Sequence, residues 1–185
     1  MPVLILRGVE KMKHKPMIYV FTGDGGGKTI ASLGFAMRAV GQGQKVVMVQ
    51  FLKGRKDTGE YKIQKKLGQK FRVYQFGGEK LINLNHPSAK DKERAKRGLD
   101  FAKKALKQKP DVLILDEINY AVAAGLLKVS DAMALLRMLP NNINVVLTGR
   151  RTPKEFIAIA DGVSEIIKIK HSFDKGVPAR RGVEY

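Results

Sequence analysis

The sequence predicts a single α/β domain with a central, mostly parallel β-sheet flanked by helices, and three observations predict it. Six short apolar runs rich in β-branched residues recur along the 185 residues, and stretches with helical spacing separate most of them. Several runs are apolar at consecutive positions, as strands covered on both faces are. The runs extend from Met17 to Phe21, Val46 to Phe51, Phe71 to Phe76, Val112 to Leu115, Ile143 to Leu147 and Ser164 to Ile169. The first leads through glycines into a helix that starts near Thr29 and ends around Val40. Leu33, Met37 and Val40, with Phe35 and Ala36 beside them, supply its buried face, and the GQGQ that follows is a stop. After the third run, Pro87-Ser88 opens a helix through AKDKERAKRGLDFAKKALKQK, with Ala95, Leu99, Ala102 and Leu106 as the inward stripe and Lys and Arg outward. Pro110 closes it and delivers the chain into the fourth run, and Pro140-Asn141-Asn142 turns into the fifth. No repeat, low-complexity tract or long linker divides the chain. Residues 1–15 are set apart as an N-terminal segment, mobile or folded over the site or a neighbouring subunit, and residues 16–185 form one domain.

Composition narrows the function. With 44% hydrophobic residues the chain can bury a core, which excludes an unfolded or peptide-like protein. The absence of Cys excludes disulfides, thiolate metal sites and cysteine nucleophiles. Against 17 Asp and Glu stand 35 Lys and Arg, a formal charge of +18 that invites a nucleic-acid partner. From Lys53 to Lys109 there are 18 basic and 6 acidic residues, so +12 of the excess lies in that stretch. It falls mostly on helical patterns where long cationic side chains cover a solvated face, and no DNA- or RNA-binding motif accompanies it. A nucleic-acid partner is therefore disfavoured. The opening segment lacks a secretory pattern, and no apolar run reaches the roughly 18 residues of a membrane span. A cytoplasmic protein without a membrane partner is expected.

The strongest local signal is MIYVFTGDGGGKTIASLGFAMRA, a strand running through Gly23, Asp24, Gly25, Gly26 and Gly27 into Lys28, Thr29 and a helix. Glycines let the backbone turn tightly with its N–H groups inward, and the helix N-terminus favours an anion. Lys28 supplies a point charge, and the Thr29 hydroxyl is of the kind that helps hold Mg²⁺ on a nucleoside triphosphate. The match is to the GKT end of the phosphate-loop pattern, since Thr22 stands where its first glycine belongs. In this strand-to-helix context it predicts a P-loop NTPase-like domain. A second signal is the apolar strand ending in Asp116-Glu117. Such a pair alone is as often a solvated turn, but beside a phosphate loop either carboxylate can support Mg²⁺ directly or through water. A third is LTGRR, where Arg150 reaches phosphates or simply decorates a basic turn. His14, His86 and His171 show no metal-ligand spacing and read as surface or structural residues.

Three long blocks, in order, carry a resemblance: TGDGGGKTIASLGFAMRAVGQGQKVVMVQFLKG, VLILDEINYAVAAGLL, and NVVLTGRRTPKEFIAIADGVSEIIKIKHSFDKGVPARRGVEY. Together they resemble the P-loop ATP:corrinoid (cob(I)alamin) adenosyltransferases over nearly the whole chain after its first fifteen residues. The resemblance implies transfer of the 5′-deoxyadenosyl group of ATP to Co(I) of a corrinoid, with triphosphate leaving. It implies ATP and a reduced corrinoid as substrates, Mg²⁺ as cofactor, an electron-donating reductase and a homodimer. By it, residues 23–29 cradle triphosphate, with Lys28 and Thr29 as principal side chains. Arg38 contacts the nucleotide, Arg150 is a further phosphate candidate, and Thr29, Asp116 and Glu117 serve the metal. Lys28 and Glu117 are the residues expected at the chemistry. Two departures stand out. Gly26 and Ile30 replace the lysine and second threonine of the GKGKTT loop that many members carry. The Phe-Thr-Trp element after the third strand is replaced by GGEKLI in a chain without Trp. Phe76, Leu81, Ile82 and Leu84 offer an apolar substitute there, core packing being the other reading. A P-loop ATPase or kinase, with Glu117 preparing the attacking group, and a nucleotide-gated nucleic-acid binder are the alternative functions.

Overall fold

In the computed structural model, which describes residues 15–78, 82–83 and 86–185, six strands form one sheet. They are β1 (Met17–Thr22), β2 (Val46–Gln50), β3 (Phe71–Gln75), β4 (Val112–Asp116), β5 (Asn144–Thr148) and β6 (Gly162–Glu165). Every pairing is parallel, in the order β3-β2-β4-β5-β1-β6. The helices are α1 (Lys28–Gly41), α2 (Gly59–Leu67), α3 (Ala89–Ala105), α4 (Ile118–Ala123), α5 (Val129–Arg137) and α6 (Lys154–Ile159).

Consecutive apolar residues in the central strands serve two cores, because successive side chains point to opposite faces. Val46, Met48, Val112, Ile114 and Val146 pack with Ala36 and Ala39 of α1 on one face. Val47, Val49, Leu113, Leu115, Val145 and Leu147 pack against α3, α4, α5 and α6 on the other. Burying each such Val or Leu contributes about 1.5–3 kcal/mol. On α3 the expected stripe faces in, with Ala95, Leu99 and Ala102 buried, Leu106 packed at its margin, and Gly98 and Ala105 completing it. Ser88 caps that helix in a box with Asp91: the Asp91 N–H donates to Ser88 Oγ, and the Ser88 N–H donates to the Asp91 carboxylate.

Two expectations are corrected. On α1, Ser32, Ala36 and Ala39 are buried, and Leu33, Phe35 and Val40 pack against the core as expected; Met37 alone departs from the expected face, at 63% exposure. The last strand is β6 at Gly162–Glu165, earlier than the expected Ser164 to Ile169. Among the described residues it pairs only with β1, whose last residue, Thr22, faces Glu165. Beyond that point Ile166 leaves the sheet and takes the Gly25 N–H on its carbonyl at 2.7 Å. Ile167 and Ile169, which alternate as strand residues do, are 73% and 94% exposed. The proposed mobility of residues 1–15 falls almost wholly outside the described residues.

Because all strands run the same way, their carboxyl ends lie along one edge of the sheet, where crevices of open α/β sheets bind ligands. The glycine loop follows the carboxyl end of β1, which lies between β5 and β6, and so sits at that edge.

Candidate active site

The loop between β1 and α1 is shaped by contacts only glycine permits. Gly23 has φ +93°, and a Cβ there would meet the Ile166 carbonyl oxygen at 2.4 Å; one on Gly25 would meet it at 2.7 Å. Gly27, at φ +106°, is the N-cap of α1. Lys28 folds back into this loop, donating to the Gly23 and Gly25 carbonyls at 2.8 and 2.6 Å. Burial lowers its pKa, opposed chiefly by Glu117 and reinforced by Arg150.

Asp116, at the end of β4, is fully buried and uses both carboxylate oxygens. Its Oδ1 accepts from Thr29 Oγ1 at 2.9 Å and Thr148 Oγ1 at 2.8 Å. Its Oδ2 accepts from Gln50 Nε2 at 3.0 Å and pairs with Lys53 Nζ at 2.9 Å. Burial alone would raise its pKa, but the Lys53 charge and hydrogen bonds from Lys53, Thr148 and Thr29 outweigh it and hold the carboxyl below the ordinary aspartate range. Lys53 Nζ also donates to Thr29 Oγ1 at 2.8 Å. Its pKa is raised: burial works the other way, and the Asp116 carboxylate, with Glu60 and Glu117 behind it, prevails.

Glu117 follows in the left-handed conformation, φ +65°, with its N–H donating to Thr148 Oγ1 at 2.9 Å. A glutamate held at positive φ costs order-of-magnitude 1–3 kcal/mol, and here it leaves the carboxylate on the cavity wall while Asp116 points into the protein. Burial pushes its pKa up and the Asp116 charge adds to this, against Lys53, Lys28 and Arg150.

These groups border a cavity of about 740 Å³, within the range of small-molecule sites. Gly25 to Thr29, Lys53, Glu60, Glu117 and Arg150 line it from the sheet side, and Lys168, Lys170, His171 and residues 182–185 from the other. Tyr185 is held there under the Arg55 guanidinium, 4.7 Å from its ring centre. The structure thus gathers Gly25, Gly26, Gly27, Lys28, Thr29, Glu117 and Arg150 at one cavity, with Asp116 sealed behind Thr29 and Lys53. Gly23 serves through its carbonyl, and Asp24 lies 3.5 Å from Arg150 at the rim. Arg38 is not brought to the cavity. It is exposed in the last turn of α1, about 15 Å along the helix from Lys28.

Sequence reasoning missed Gln50, Lys53 and Thr148, and it read His171 as surface or structural. The missed signal is register: in a parallel sheet, residues ending β2, β4 and β5 share an edge, so Gln50, Asp116 and Thr148 belong together. Of the apolar substitutes for the missing aromatic element, Phe76 packs 5.3 Å from the Phe101 ring and, with Ile82, lines a second cavity beyond β3. Leu81 and Leu84 lie outside the described residues.

Hydroxyl and carboxylate oxygens are the donors a hard cation takes. Among the described residues no group of three or more His, Cys, Asp or Glu side chains could hold a metal. Among the described residues no helix is long and apolar enough to cross a membrane.

Comparison with known proteins agrees over almost the entire chain. The family model described as ATP:corrinoid adenosyltransferase BtuR/CobO/CobP matches residues 14–185. A corrinoid adenosyltransferase of Escherichia coli K12 is 36% identical over 180 residues, covering 97% of this chain and 90% of the relative. The corrinoid adenosyltransferase CobA of Salmonella typhimurium is 34% identical with the same coverage. Among solved structures, the flagellar accessory protein FlaH of Methanocaldococcus jannaschii superposes with a TM-score of 0.51 at 16% identity, covering 83% of this chain and 72% of that one. At that identity the likeness concerns the fold alone.

Proposed function

The chain belongs to the ATP:corrinoid adenosyltransferase family, and from that premise we propose how its own residues carry out the transfer. Co(I) of the corrinoid attacks the 5′ carbon of ATP, the C5′–O bond breaks, a Co–C bond forms and triphosphate leaves. Cobalt provides the electron pair, so the protein needs no nucleophile; it must hold the two substrates in line and stabilise charge on the leaving group. The reaction belongs to adenosylcobalamin formation.

The observation that carries this assignment of roles is the convergence of Lys28, Thr29 and Glu117 on one cavity at the carboxyl edge of the sheet, with Asp116 hydrogen-bonded to Thr29 directly behind it. The amide-rich N-terminus of α1 and Lys28 receive the triphosphate, for which Lys28 exchanges the Gly23 and Gly25 carbonyls for phosphate oxygens. Thr29, Asp116 and Glu117 would hold Mg²⁺, whose charge offsets that of the triphosphate when it is bound. Arg150, with Asp24 as its resting partner, completes the positive wall. Lys168, Lys170 and His171 close the site from the far side. A homodimer, an electron-donating reductase and a cytoplasmic location are further parts of this reading, supported by the family resemblance.

The test supplies ATP, Mg²⁺ and a chemically reduced corrinoid and follows the visible spectrum. A light-sensitive alkylated cobalt is expected. Consumption of ATP with no alkylated cobalt would instead favour the ATPase or kinase reading.

A further inference from the structure

We propose that the Lys53 ammonium is a tethered counter-cation at the position between Thr29 and Asp116 that a divalent ion would take, so that the ion must displace it. The inference rests on the assignment of Thr29 and Asp116 to the metal. The ammonium lies 2.8 Å from Thr29 Oγ1 and 2.9 Å from Asp116 Oδ2, between the two oxygens a cation would bridge. Asp116 is wholly buried and already accepts from Thr29, Thr148 and Gln50. Its other partners are braced. Gln50 is gripped by Gln75, whose Nε2 donates to Gln50 Oε1 at 3.0 Å, and Thr148 is fixed by the Glu117 N–H. Lys53 is the one partner of Asp116 with a long, flexible stem and a partly exposed head.

The backbone of Lys53 is held firmly. The Gly77 N–H donates to the Lys53 carbonyl at 2.9 Å. A Cβ on Gly77 would stand 2.2 Å from the Leu52 carbonyl carbon and 2.3 Å from the Lys53 nitrogen, and one on Gly54 would stand 2.7 Å from the Gly77 oxygen. The two glycines let the segments after β2 and β3 touch, fixing where the lysine stem begins. The ammonium can then leave Asp116 for a triphosphate in the same cavity without moving its anchor. A metal arriving alone must evict a cation whose remaining anionic neighbours in the cavity are the Glu60 and Glu117 carboxylates. A metal arriving with nucleotide finds the displaced ammonium a new anionic partner, so metal and ATP bind cooperatively.

The test measures Mn²⁺ binding by the electron paramagnetic resonance signal of free Mn²⁺, with and without ATP, for the wild type, Lys53→Met, Lys53→Arg and Thr29→Val. Without ATP, Lys53→Met is expected to bind Mn²⁺ about tenfold more tightly than wild type, within the usual span of coupling between sites. It should also lose most of the ATP-induced gain. Lys53→Arg, whose guanidinium grips a carboxylate with two hydrogen bonds, should bind Mn²⁺ more weakly than wild type when ATP is present. Thermal unfolding of Lys53→Met should show a larger Mn²⁺-induced rise in Tm than the wild type shows. If Thr29→Val weakens Mn²⁺ binding but Lys53→Met gains nothing, the counter-cation inference is overturned while the metal assignment stands. If Thr29→Val leaves ATP-dependent Mn²⁺ binding unchanged, the metal assignment itself falls. Should Lys53→Met not fold, unchanged Mn²⁺ binding by Lys53→Arg overturns the inference.

Discussion

Lys28 donates to two loop carbonyls, and those contacts are ones a phosphate can replace. Removing a charged donor aimed at developing negative charge costs about 10²–10³ in turnover. Lys28→Ala should therefore lose at least about a hundredfold in adenosylation while its circular dichroism and Tm stay close to wild type; full activity would remove the phosphate loop from the mechanism. Glu117 permits a pH test. Its folded pKa lies above the ordinary 4.5, from burial and then from the Asp116 charge. The folded protein thus binds this proton more tightly than the unfolded chain, and this group's contribution to stability falls as pH rises from about 4.5 through the raised value. Glu117→Gln removes that decline, so its Tm relative to wild type should climb with pH across that window and then level off. Parallel Tm curves would contradict the raised pKa. At this scale, Lys28, Thr29 and Asp116 were legible because each belongs to a contiguous pattern with a physical reason. Gln50 and Thr148 were not, since what joins them to Asp116 is a sheet register, and Lys53 reaches Asp116 from the segment just after β2. Arg38 shows the converse: a residue inside a resembling block can lie a helix length from the site.

At the scale of elements, strands and central helices were legible from apolar runs and proline or glycine breaks, and the failure came where the chain leaves the sheet. The alternation from Ser164 to Ile169 satisfies a strand pattern, but among the described residues no further strand flanks β6, and Gly25 claims the Ile166 carbonyl. The segment is more useful as the wall of the phosphate loop. Two glycine substitutions separate this role from general helix or loop effects. Gly25→Ala would bring a Cβ within 2.7 and 2.8 Å of the Ile166 and Ile167 carbonyl oxygens. It should push the 166–171 segment away, lower Tm and weaken ATP binding. Gly34, exposed within α1, has nothing within 4 Å of the added atom. Gly34→Ala should raise stability by about 0.5–1 kcal/mol through helix propensity and leave ATP affinity alone. Calorimetric unfolding and ATP titration check both; equal behaviour of the two variants would deny the loop its packed wall.

For the molecule as a whole, the +18 charge first suggested nucleic acid, and the structure gives it another distribution. Lys28, Lys53, Arg150, Lys168 and Lys170 border one cavity, while the lysines and arginines of α3 coat that helix opposite its buried stripe. Composition could report only the sum; folding separates a basic cavity from a solvated face. The parallel sheet, legible in outline from the sequence, makes this separation by collecting the ends of β1, β2, β4 and β5 at one edge. The central claim is that this edge binds a triphosphate as a leaving group, with the phosphate chain intact. The most direct measurement is phosphorus NMR of a reaction containing ATP, Mg²⁺ and chemically reduced corrinoid. The account predicts inorganic triphosphate in a one-to-one ratio with alkylated cobalt; ADP and orthophosphate formed in its place would contradict it.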